Sequence, residues 1–66
     1  MKHYTLEHRR APYTWIAIAS DDNLEVILDY AKEHGDLDDL RVMNIRAKRL
    51  TPVRELIARS TRKEKP

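Results

Sequence analysis

No cysteine occurs in the chain, so neither a disulfide nor a thiolate metal centre can staple its fold, and no oxidising compartment is implied. Glycine occurs once, at Gly35, which excludes the glycine-rich loops that cradle phosphates and dinucleotides. The longest apolar stretch, Trp15-Ile16-Ala17-Ile18-Ala19, is far shorter than the roughly 20 residues that span a bilayer. No basic segment followed by an apolar run precedes Tyr4, so the expected location is cytoplasmic. With 66 residues, the chain is smaller than the roughly 70–80 at which one hydrophobic core comfortably offsets chain entropy. Marginal stability or a homodimer is therefore expected.

Histidines with metal-ligand spacing are also missing. His3 and His8 are five residues apart on one predicted strand and face opposite sides of it, so they cannot share an ion from that strand alone. His34 falls at a predicted helix C-terminus, where a cation is favoured, and that placement already accounts for it. No catalytic residue, metal ligand or cofactor site is predicted. The expectation is a binding protein and not an enzyme.

What the chain does have is charge, unevenly distributed. Residues 21–40 carry eight acids against Lys32 alone, a net of −7. Residues 41–66 carry nine bases against Glu55 and Glu64, a net of +7. Asymmetry of this kind bears on partners and association and not on fold. Either the two segments neutralise each other within the molecule, or one of them faces a partner.

Hydropathy patterning predicts a single α+β domain over residues 1–60, with the basic segment 61–66 as a disordered tail. His3 to Arg10 and Tyr13 to Ser20 read as two strands broken by Ala11-Pro12, a β-hairpin. In the first, Tyr4, Leu6 and His8 share a face. In the second, Tyr13, Trp15, Ala17 and Ala19 lie opposite Thr14, Ile16 and Ile18, and two largely apolar faces predict a central strand. Asp22 and Glu25 have the spacing of a capping box, and Leu24, Ile27, Leu28 and Ala31 follow at helical spacing, which predicts a helix over about 23–34 that ends at Gly35. Residues 40–50 fit a strand or a helix. A strand is preferred because a lone hairpin is marginal in water and a third strand gives the helix a sheet to cover. Thr51-Pro52 reads as an N-cap and first helical residue, opening a short helix with Val53, Leu56 and Ile57 on one side. The predicted architecture is ββαβ, a small antiparallel-type sheet covered by one amphipathic helix, plus a short C-terminal helix. One helix covers only one sheet face, so Tyr13 and Trp15 on the other need the C-terminal helix, a second subunit or a partner.

Two constellations are candidate binding surfaces. Glu25, Asp29 and Glu33 succeed one another at i+4, with Asp22 and Asp36 extending the row. Like charges at that spacing destabilise a helix by about 0.2–0.5 kcal/mol per pair, so the row points to docking on a basic surface of another protein, with Tyr13 and Trp15 as further contacts. The alternative is basic: Arg9 and Arg10 at the hairpin tip with Arg46, Lys48 and Arg49 on the third strand, and the tail beyond, would contact nucleic-acid phosphates.

The segments Tyr13 to Ser20, Asn23 to Ala31 and Leu40 to Arg46 together resemble a loose group of very small phage-encoded proteins. Members pair a β-hairpin with one acidic helix and a closing strand, and several bind and inhibit host enzymes such as RNA polymerase or defence nucleases. The resemblance is one of topology over residues 4–46, and it implies a phage or mobile-element protein that binds a host protein. The basic C-terminal third departs from that pattern.

Overall fold

A computed structural model describes residues 2–63 and contains four strands and two helices. The chain runs β1 (Tyr4–Ala11), β2 (Thr14–Asp21), α1 (Leu24–His34), a 3-10 turn (Leu37–Asp39), β3 (Leu40–Asn44), β4 (Arg49–Pro52) and α2 (Val53–Lys63). It is an α+β fold with one antiparallel sheet in the order β2-β1-β3-β4. The hairpin and α1 form where the sequence places them, with β1, β2 and α1 each starting one residue later than expected. The segment 40–50 divides: β3 ends at Asn44, residues 45–48 form a turn, and a fourth strand follows.

The expected central position of β2 is corrected. β3 pairs with β1 and not with β2, so β1 is flanked on both sides and β2 is an edge. The double apolar face of β2 reflects a bulge and not a central position. Leu6 pairs with Ala19 and Glu7 with Ala17, leaving Ile18 as the extra residue. The bulge moves Ala19 to the face of Leu6, and both Ile18 and Ala19 pack against the core.

Leu6, Ile27, Leu28, Ala31, Leu40, Val42 and Val53 form that core. They come from β1, α1, the start of β3 and α2, so both helices lie on one face of the sheet. The helical spacing of Ile27, Leu28 and Ala31 puts all three against Leu6 on the central strand. α2 therefore does not cover the opposite face, and it is longer than expected, reaching Lys63 beyond the proposed boundary at Ser60. The disordered tail expected at 61–66 is helical as far as Lys63, and its last residues, 64–66, lie outside the described residues. No helix among the described residues is long and apolar enough to cross a membrane.

Helix ends are set by side chains in a slightly different way from the capping box at Asp22. Asn23 is the N-cap: its Oδ1 accepts the Glu25 amide at 2.9 Å, while Asp22 Oδ1 accepts the His3 amide at 2.9 Å and ties the hairpin to the chain entering β1. Gly35 caps the C-terminus in the left-handed region, φ 92°, and its amide donates to the Ala31 carbonyl. β4 takes in Thr51 and Pro52, so α2 starts at Val53, one residue later than the Thr51-Pro52 signal suggested.

Candidate functional site

The outer face of α1 carries a row of three exposed acids. Its core stripe faces Leu6, which forces Glu25, Asp29 and Glu33 outward, and all three are exposed. Val26 and Tyr30 share this side and remain 48% and 46% exposed, so the acidic row is interleaved with an apolar pair at i+4. Tyr30, Glu33 and His34 line a shallow hollow of about 230 Å³ at the C-terminal end. Neither Val26 nor Tyr30 was singled out from sequence, because each reads as an ordinary helical apolar residue until the sheet shows which stripe is buried.

The acids divide into two sets. Asp39 accepts from Arg9 at 2.6 Å, Asp38 pairs with Arg54, Glu7 accepts from Arg41 at 2.7 Å and Glu55 accepts from Arg59 at 2.6 Å. Asp38 and Asp39 thus anchor the 3-10 turn to α2 and to β1, and for them the charges are neutralised within the molecule. Glu25, Asp29 and Glu33 form no ion pair with any side chain of residues 2–59. Asp22 is engaged by a backbone amide, and Asp36 leaves the row: its Oδ2 lies 3.7 Å from His8 Nε2 and 4.0 Å from His34 Nδ1.

Tyr13 and Trp15 are not one platform. Tyr13 sits in the β1–β2 turn, 97% exposed, whereas Trp15 lies on the outer sheet face beneath two guanidinium groups. The Arg41 Cζ is 4.0 Å from the Trp15 ring centroid and that of Arg9 is 5.9 Å away. Arg9 and Arg41 are in turn held by Asp39 and Glu7. This charged lattice over an aromatic ring covers part of the face that the sequence reading left for a helix, subunit or partner. The remainder is a shallow groove of about 290 Å³ bounded by Trp15, Arg41, Leu50 and Pro52.

The basic residues proposed as one nucleic-acid surface are separated. Tyr4 pairs with Asn44, so the β3–β4 turn carrying Arg46 and Lys48, with Arg49 opening β4, lies at the start of β1. Arg9 and Arg10 lie at its other end, roughly 17 Å away for five strand residues at about 3.4 Å each. Arg46 and Lys48 are turn residues and not members of a third strand. The turn is built by Asn44, whose Oδ1 accepts the Ala47 amide at 3.0 Å, and by Lys48 at φ 53°.

No protein-family model matches the chain, and no curated protein or solved structure is significantly similar to it.

Proposed function

We propose that this chain is a small non-catalytic docking protein whose α1 outer face binds a basic surface on another protein. The observation that carries the reading is the absence of ion-pair partners for Glu25, Asp29 and Glu33 among the side chains of residues 2–59, in a molecule that pairs Glu7, Asp38, Asp39 and Glu55 with arginines. A row of like charges costs helix stability and gains nothing inside the fold. It does raise the rate of encounter with an oppositely charged surface. Val26 and Tyr30 supply the apolar contact that charge alone lacks, and a tyrosine flanked by acids is a composition suited to an interface core with a polar rim. In a phage or mobile element, the origin that the resemblance implies, the partner is a host protein.

Affinity purification from a nuclease-treated bacterial lysate tests this. The triple variant Glu25→Lys, Asp29→Lys, Glu33→Lys is expected to lose a protein partner that the wild type captures, with an unchanged amide spectrum. The variant Arg46→Glu, Lys48→Glu, Arg49→Glu is expected to keep it. Equal capture by all three proteins counts against α1 as the docking face.

A second reading is favoured by one observation: Arg46, Lys48 and Arg49 cluster on a single turn, exposed and without an ion-pair partner among the described residues. Such a turn would contact phosphates and give binding that weakens steeply with salt. A gel shift with single- and double-stranded DNA and RNA at low salt, absent in the Arg46/Lys48/Arg49 variant, is its signature.

A further inference from the structure

We propose that His8, His34 and Asp36 form a binding site for a divalent transition-metal ion of the zinc class. Each offers one ligand atom, and the three atoms lie within 4.8 Å of one another. The two imidazoles are 26 residues apart in sequence and meet because α1 runs back across β1. His8 projects from the helix-facing side of the central strand, alongside Leu6, and His34 is the last residue of α1. Their ring centroids are 4.9 Å apart at 47°, a tilted pair whose edges converge instead of stacking face to face. Asp36 reaches the same point because Gly35 adopts φ 92° and turns the chain back at the helix end.

The second observation is an unsatisfied atom. His8 Nε2 is buried and has no hydrogen-bond partner among the described residues; at 3.7 Å, the Asp36 carboxylate is too far to be one. A buried imidazole nitrogen without a partner, aimed at a second imidazole and a carboxylate, has the chemistry of a ligand. Two neutral imidazoles and one carboxylate suit zinc among the common divalent ions. Bonds of about 2.0–2.1 Å to a tetrahedral ion hold donors roughly 3.3–3.4 Å apart, so the 3.7 and 4.0 Å to Asp36 need a small contraction, and the two imidazole nitrogens, within 4.8 Å of each other, a larger one. Asp36 is 64% exposed and His34 stands at the exposed end of α1, so both side chains have room to close on the ion, and the exposure of Asp36 leaves the fourth position open to water. The ion would join β1, the end of α1 and the following loop in a domain that has no disulfide to do so.

Zinc titration of the full chain by calorimetry, with the amide spectrum recorded for every variant, decides the matter. One zinc per chain is expected. His34→Gln and Asp36→Asn, both at exposed positions, are each expected to weaken binding by at least about tenfold, as is His8→Gln. His3→Gln is the control and is expected to leave the affinity unchanged, because His3 faces Asn44 at 2.9 Å on another part of the fold. Nitrogen chemical shifts of the imidazoles add a reading that lost stability would not produce: Nε2 of His8 and Nδ1 of His34 should move on zinc addition while both nitrogens of His3 stay put. Absence of binding overturns the proposal, as does binding that His34→Gln and Asp36→Asn leave unchanged or that disappears with His3. If His8→Gln fails to fold, the two exposed variants and the wild-type shifts still decide it.

Discussion

Arg41 places its guanidinium carbon 4.0 Å from the centre of the Trp15 ring while its Nε donates to Glu7 at 2.7 Å. The cation is held by a carboxylate on the neighbouring strand and stacked on an aromatic from the strand beyond, so three adjacent strands are tied across the outer face. Both ends of the ion pair are largely shielded, at 27% and 21% exposure. Arg41→Ala is expected to lower stability by about 1–2 kcal/mol and to shift Trp15 fluorescence to longer wavelength as water reaches the ring. An unchanged emission maximum would show that the ring is shielded by other groups. Arg41→Lys should recover only part of the loss, since an ammonium lacks the planar face that stacks.

Leu6 is fully buried on β1, the strand that pairs with both β2 and β3 and against which α1 packs. Leu6→Ala removes about 2–5 kcal/mol. A domain of this size has little more than that in total, about 3–5 kcal/mol. The variant is expected to be largely unfolded at 25 °C by circular dichroism. The same substitution at the exposed Leu50 should be close to neutral.

Two left-handed residues predict changes of opposite sign. Gly35 sits at φ 92°, and a side-chain carbon there would meet nothing within 4 Å, so the cost of Gly35→Ala is backbone strain alone, about 1–2 kcal/mol. Lys48 at φ 53° already bears such strain, and Lys48→Gly is expected to raise stability by up to about 1 kcal/mol. Urea midpoints of the two variants should move in opposite directions from the wild type.

The acidic row is expected to reveal its cost to the fold. Asp29 has Glu25 and Glu33 one turn to either side, and Asp29→Asn should stabilise the protein by roughly 0.5 kcal/mol, an effect that fades as salt screens the row. Loss of stability on this substitution would mean that Asp29 has an intramolecular partner.

The N-cap offers a local check on the entry to α1. Asn23→Ala removes the acceptor of the Glu25 amide and should cost about 1 kcal/mol, whereas Asn23→Asp or Asn23→Ser should cost little. Asp22→Ala tests the other contact, its bond to the His3 amide, and should loosen the start of β1 without unwinding the helix.

Taken alone, the sequence determined what depends on neighbours a few residues apart. The hairpin break at Pro12, the buried stripe Ile27, Leu28 and Ala31, and the stop at Gly35 follow from strand alternation, the turn of a helix and the conformational freedom of glycine. The outward row of Glu25, Asp29 and Glu33 was equally legible, since burying one stripe exposes the other. Tertiary structure alone decided who meets whom across the chain. β1 became central because β3 pairs with its free edge, a choice that local patterning does not encode, and the bulge at Ile18 blurred the apolar alternation that would have marked β2 as an edge. The contacts between Arg9 and Asp39, Arg41 and Glu7, and His8 and Asp36 join residues about 30 positions apart. Their proximity is fixed by how a sheet closes over a helix, a balance of packing summed over the whole core, and it turned part of an apparently free charge surface into internal pairs while leaving the α1 row open.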